Sequence, residues 1–527
     1  MYLQAGPLHI FYEKGFLRQI KHNDSEVVRM IYFALRDHNW GTFDRKIENE
    51  IIESYENHFS ISYTCLNIIE HQKEDCADTN HGSERDEAVG ADTDHGADEV
   101  FEWNVKINGD TNGKITFEIQ GKAVQEVRRN RAGFCILHPI EGVATQPITI
   151  IHDADSDTET HFPQYIAADD PFLNIRAMRW QAASGGVYQL NFEGDIFQTE
   201  DQRNWGDASY KTFCTPLSLP FPVQLHKGDT VWQRVTLSVL SASEKTPVSD
   251  NREIESKEPK SFALGVAASV ETETLSEKAI NLLKSLNLSH YRIDLNPSLD
   301  SWITDFSNHC ENAALLNLPL EIALSLDNEY EKQLADFIGL CRQNRLRIAN
   351  LLLFSSQSLT TPHELIHQIP HLKSQLPNVK MGIGTNYNFT ELNRNRFEAG
   401  DADFITFSYH PQVHAFDDLS LMENTETLRY QVESAEKLYA KPVHVSFISL
   451  RQRANPYAAN AADILVPIDK QADGRQKTEF GAAWVKSVLA HFSTTNVASA
   501  TIFRTVGELG LLSLEGNPYP IFECLRR

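Results

Sequence analysis

Basic side chains are scarce in this chain: 48 Lys and Arg stand against 72 Asp and Glu over 527 residues, a formal net charge of -24. That balance argues against nucleic acid or an anionic membrane as partner, since both select basic patches. It leaves room for a small anionic ligand, because a local Arg or His can outweigh the global field. No apolar run reaches the roughly 20 residues that span a bilayer. The opening residues, Met1 to Pro7, hold neither a basic nor an apolar signal region, so no export signal is read. The seven cysteines are odd in number, scattered and free of CxxC pairs, which excludes a zinc ribbon or disulfide scaffold and suits reduced thiols in the cytosol. GxSxG, HExxH and P-loop motifs are missing, and no Gly-rich turn opens the first strand–helix unit. Serine esterase, zinc peptidase and nucleotide enzyme readings lose weight accordingly.

What is present changes character along the chain. The first part is β-rich: Lys114 to Gln120 alternates polar and apolar, and Val231, Val235, Leu237 and Val239 recur at odd positions. Strands of this kind between Gly and Pro turns predict an antiparallel β-sandwich over 1–240. Residues 70–99 interrupt it with Asp, Glu and His in an imperfect repeat, and their composition predicts a disordered insertion. Residues 241–260 read as a linker. Beyond it, short apolar runs begin near Phe262, His290, Leu320, Ile348, Val379, Phe404, Val443 and Ala500, most separated by helical patterns such as Leu275–Leu288 and Tyr330–Gln343. Eight strand–helix units predict a (β/α)8 TIM barrel over 261–509. Tyr291, Ile293 and Leu295 are expected to face the helices, and Arg292 and Asp294 the interior. Residues 510–527 are expected to return to the sandwich as an added strand.

The polar run Glu200–Thr212 has no apolar periodicity. It suits a site for a polyol or sugar acid, since carboxylates and amides bind hydroxyls, Arg and Lys bind carboxylates, and aromatic rings cover sugar C–H faces. A polar turn laced with ion pairs is the equal alternative. In the barrel, residues just after each strand line the mouth. Arg292 and Asp294 follow the second strand, Asp327 the third, and Glu391 lies after the fifth. His410, His414, Asp417 and Asp418 follow the sixth, and Arg451 and Arg453 the seventh; Arg475 precedes the eighth. Glu391 is the candidate base if burial raises its pKa; a first-turn helix glutamate favoured by the dipole is the alternative. His410 and His414 can relay a proton, polarise a carbonyl or bind a metal with Asp417 or Asp418, although Pro411 argues against the helix that a His-x3-His metal site needs. Arg451 and Arg453 can face an oxyanion or a carboxylate. A retaining barrel glycosidase would carry acids after the fourth and seventh strands. Here those ends read Phe354-Ser355-Ser356-Gln357 and Ser446-Phe447-Ile448-Ser449, with no acid.

Several runs in order, Arg36–Thr42, Asn130–Pro139, Glu200–Thr212, Phe389–Arg394, Pro411–Asp417 and Arg475-Gln476, resemble the D-apionate lactonase family. The resemblance spans nearly the whole chain, skipping the 70–99 insertion and the linker. It implies a mutarotase-like N-terminal β-sandwich joined to a TIM barrel, and hydrolysis of D-apionolactone to D-apionate. Two places depart from the family pattern: Arg504 stands where a carboxylate follows the last strand, and the stretch around Gln452 and Ala454 is altered.

The expectation is a cytosolic carbohydrate lactonase acting on a small sugar lactone. Its catalytic residues would be Glu391, His410, His414 and Arg451. Its substrate-binding residues would be Asp201, Arg203, Asp207, Lys211, Arg292, Asp294, Arg453 and Arg475, with Asp201, Arg203 and Lys211 near the seam of the two domains. No cofactor is required; a divalent metal and a homo-oligomer both remain open. The alternatives are a glycoside hydrolase on the same plan, a non-catalytic carbohydrate-binding protein, and an epimerase working through His138 and Glu193 of the sandwich.

Overall fold

The computed structural model describes residues 1–70, 97–153, 156–241, 259–344, 346–458 and 464–526. It divides into two compact units. One comprises Met1–Gln164, Asp170–Glu200 and Ser209–Asn251 and consists of two nine-stranded sheets. Its ladders are antiparallel, as between Ser25–Asp37 and Val127–His138. Strand Lys114–Ala123 alternates as its sequence requires, burying Ile115, Phe117 and Ile119. The inner faces meet through aromatics: Phe33 and Phe134 of one sheet pack on Trp103 and Phe117 of the other, with ring centroids 5.2 Å (Phe33–Trp103) and 5.0 Å (Phe117–Phe134) apart. Each such ring removed from water contributes on the order of 2–3 kcal/mol. The expected insertion falls between the paired strands Phe59–Glu70 and Ala97–Gly109; 71–96 lie outside the described residues, as do 242–258 of the linker.

The other unit is a closed barrel of eight parallel strands: Ala263–Ala267, His290–Leu295, Leu320–Leu326, Ile348–Ser355, Lys380–Gly384, Phe404–Tyr409, Val443–Ile448 and Ser499–Val506. The first pairs with the eighth, Leu264 opposite Ala500, which removes both sheet edges. Helices start where the sequence caps them: the Ser276 side chain accepts from the Ala279 amide ahead of Glu277–Lys284. Tyr291, Ile293 and Leu295, with Leu320, Ile322, Leu324 and Leu326, join the apolar layer under the helices. Arg292 instead reaches across the interior to Ser446. A small apolar plug of Ala323, Leu352, Phe354 and Phe404 fills part of that interior. No helix among the described residues is long and apolar enough to cross a membrane.

Two boundaries differ from the sequence expectation. The C-terminal segment does not return to the sandwich: Gly510–Leu512 pairs with the eighth barrel strand, and Leu511, Leu512, Ile521, Phe522 and Leu525 bury in the barrel's apolar layer. Burial of those side chains decides where the segment goes. Residues Tyr165–Asp169 and Asp201–Ala208, read as sandwich, also belong to the barrel unit. Ile166 is buried in the barrel's apolar layer, and its amide donates to Ser434.

Candidate functional site

Beside its apolar plug the barrel interior carries a chain of buried polar side chains. Glu321 is fully buried, its Oε1 accepting from Ser446 (2.6 Å) and Thr501 (3.0 Å) and its Oε2 from Asn350 (2.9 Å). Although burial pushes it up, neighbouring His290, His444 and Arg292 hold this carboxyl well below the usual range. Above it Arg292 donates to Ser446 (2.7 Å), Asp294 (2.6 Å) and Asn386 (2.7 Å). Arg453 reaches the same Asp294 (3.3 Å) and Asn386 (2.8 Å).

Two irregular strands shape this region. In the seventh strand the register slips between Ser446 and Ile448, and Phe447 lies apart from the outer apolar layer that takes Val443, Val445 and Ile448. In the eighth, Thr501 points inward to Glu321, so simple alternation would send Phe503 inward as well. Phe503 instead adopts φ 52 and joins the outer layer, which turns Arg504 in. A left-handed aromatic residue costs on the order of 1–3 kcal/mol, and such bulges re-aim side chains at barrel rims.

Glu391 lies in the short helix Phe389–Arg394 and is 1% exposed. Its Oε1 accepts from the Tyr457 hydroxyl at 3.0 Å, while Oε2 is buried without a partner. Burial lifts its pKa to about 7, against the lowering by its own helix amide, Tyr457 and Arg394. The first-turn position is real, yet desolvation outweighs it.

Trp205 stands between Tyr457 (ring centroids 6.2 Å) and His414 (6.1 Å), and Arg394 lies over its ring at 5.4 Å. The loop that carries it approaches His410 closely; a Cβ at Gly206 (φ 97) would sit 2.9 Å from the His410 carbonyl oxygen. His414 Nδ1 lies 2.7 Å from Asp207 Oδ2, and Asn424 donates to Asp207 Oδ1 at 3.3 Å. An imidazole held by a carboxylate on Nδ1 is fixed in orientation. His410 is buried, its Nδ1 unpartnered, and burial with nearby Arg453 pulls its pKa down to about 3.

The remaining expected site residues hold partners of their own within the protein. Asp201 and Arg203 form a bidentate pair (2.8 and 2.7 Å) whose side chains have no exposed surface. Asp207 orients His414 rather than standing free for a ligand. Lys211 belongs to the sandwich unit, where its ammonium pairs with Glu200 at 3.2 Å. Arg475 is a clamp: it holds both oxygens of Asp473 (2.9 and 2.7 Å), Asp418 (2.9 Å), Gln412 (3.1 Å) and the Phe416 carbonyl (2.7 Å). Arg451 leans on the same Asp473 at 3.4 Å. Asp417 caps the helix Asp418–Glu423. His410, His414, Asp417 and Asp418 therefore diverge, and among the described residues no three His, Cys, Asp or Glu side chains gather as a metal site. His138 is buried against Thr212 and Glu193 faces Arg234, so each is engaged separately.

Sequence reasoning passed over Tyr457, Asn386 and Phe447 as site residues and placed Trp205 only within its polar run. Trp205 had a signal, an aromatic ring among amides and charges. Asn386 and Phe447 had none, since one sits in an ordinary turn and the other looks like strand core.

The chain matches the family model "D-apionate lactonase, N-terminal domain" over residues 1–89 and 67–242, and "D-apionate lactonase, TIM barrel domain" over 264–527. It is 28% identical to a D-apionate lactonase of Brucella anthropi over 547 aligned positions, covering 98% of this chain and 84% of that protein. Among solved structures, a beta-arabinopyranosidase (10% identical, 81% of this chain and 73% of that one, TM-score 0.27) and a GH2 beta-galacturonidase of Eisenbergiella tayi (10%, 83% and 93%, TM-score 0.31) are similar only at a level that carries no argument about chemistry. With the models covering both units, the chain belongs to the D-apionate lactonase family.

Proposed function

We propose that this protein is a carbohydrate lactonase that opens D-apionolactone to D-apionate by attack of water on the lactone carbonyl. The observation that carries the reading is Glu391, a buried carboxyl with a pKa of about 7 beside an aromatic platform. Glu391 takes the proton as the water oxygen bonds to the carbonyl carbon. Arg453 faces the developing oxyanion, a contribution worth about 3 kcal/mol for one well-placed donor. The ring C–O bond then breaks, and Glu391 passes the proton it took from water to the departing alkoxide, which His414 holds by a hydrogen bond. Trp205 covers the C–H face of the sugar. His410 does not replace Glu391, because an imidazole with a pKa of about 3 is a weak base near neutrality. The free thiols among the described cysteines suit a reducing, cytosolic setting.

The test is proton release over a panel of aldonolactones, with and without chelator. Turnover of D-apionolactone that survives chelation supports the scheme; cleavage of an aryl glycoside without lactone turnover replaces it with the glycosidase alternative. Three variants sharpen it. Asp207→Asn, which misorients His414, lowers kcat by at least about tenfold with the fold intact. Arg453→Ala lowers kcat/KM about a hundredfold, whereas Arg451→Ala, half exposed against Asp473, changes it less than about threefold. Equal losses in the two arginine variants would remove Arg453 from the mechanism.

A further inference from the structure

Three guanidinium groups at the inner end of the barrel mouth share one directly bonded carboxylate, Asp294, which pairs with two of them. Arg292, Arg453 and Arg504 surround the Phe447 ring, with guanidinium carbons 6.0, 4.5 and 5.5 Å from its centroid. Glu321 lies on the floor below and reaches Arg292 through Ser446, with both its oxygens already accepting hydrogen bonds. Glu271 acts on Arg504 from the rim, but one of its oxygens accepts the Glu508 amide. Arg504 is 7% exposed, donates from Nη1 to the Ala268 carbonyl at 2.7 Å, and keeps its Nε buried without a partner; the Nε of Arg292 is equally unpartnered. The left-handed turn at Phe503 brings this third guanidinium inward.

A neutral lactone does not call for such a cluster in its ground state, and a single oxyanion is served by one or two donors. Like charges held together out of water are matched by a full anion, and planar guanidinium forks match a carboxylate best. We propose that Arg453 and Arg504, backed by the fully buried Arg292, form a carboxylate-binding site, so that the ligand seated at the inner end of the mouth is a sugar acid. The lactonase reading enters only in the origin of that carboxylate: it is either the group released by ring opening or a second acid already on the lactone.

Calorimetric titration of the full chain with an aldonate and with the alditol of equal chain length tests this without turnover. The aldonate should bind at least about tenfold more tightly, and Arg504→Met should abolish the preference while Arg504→Lys keeps part of it. A melting temperature of Arg504→Met at or above that of the parent shows that the loss lies in the ligand site and not in the fold. Kinetics then separate the sources. Preference for an aldaric acid monolactone over the neutral aldonolactone, lost in Arg504→Met, assigns the carboxylate to the substrate. Preference for the neutral lactone, with competitive inhibition by aldonate that Arg504→Met relieves, assigns it to the product. Equal binding of aldonate and alditol by the unaltered protein, or a preference that survives both Arg504→Met and Arg453→Met, overturns the proposal. Lactone turnover with no aldonate preference sinks this site alone; aldonate preference with no lactone turnover sinks the lactonase reading alone.

Discussion

Glu391→Gln should lower kcat by at least about tenfold and flatten the pH profile of what activity remains. In the unaltered protein kcat/KM should rise with pH through about 7, where the buried carboxyl ionises and becomes a base. An amide cannot accept the proton at any pH, so the variant loses that rise. A profile with the same inflection in both proteins would assign the base to another group.

The same substitution has a signature in stability, and its sign is opposite to that of an ion-paired carboxylate. Glu391 has a folded pKa of about 7 and an unfolded one near 4.5. Between those values the folded state holds more protons than the unfolded state, so stability falls as pH rises. The difference corresponds to about 3 kcal/mol lost by pH 8 relative to pH 4. Glu391→Gln removes this loss, so variant and parent should diverge in denaturant midpoint with rising pH. A constant offset between them from pH 4 to 8 would mean that burial does not lift this carboxyl.

Much of the barrel was legible because strand periodicity is a local property. The alternation in Tyr291–Leu295 and Leu320–Leu326 says which face meets the helices, and the structure places those faces so. Glu391 stood out in the sequence by its place just after a barrel strand, but its burial, which comes from partners distant in sequence, was not legible there. What escaped was whatever depends on broken alternation or on partners distant in sequence. Phe447 and Arg504 change sides through register slips that no period of two reveals. Asp201 and Arg203 pose a different difficulty. Acid and base two residues apart look the same whether they hold a ligand or one another, and only burial tells them apart.

That distinction gives the second large expected effect. Asp201→Asn should destabilise the barrel unit by about 3–5 kcal/mol, because it leaves the Arg203 guanidinium buried beside a neutral amide. Asp201 also accepts from the amides of Ala167 and Arg203, so the substitution loosens the entry of both segments into the barrel unit. The denaturant midpoint should fall accordingly, while KM for the lactone at a temperature where the variant is folded stays within about twofold of the parent. A ligand-binding role predicts the reverse, a large rise in KM with little change in stability. The two readings of this carboxylate therefore separate on a single protein measured in two ways. The sealed geometry of the pair, with no exposed side-chain surface on either partner, favours the loss of stability.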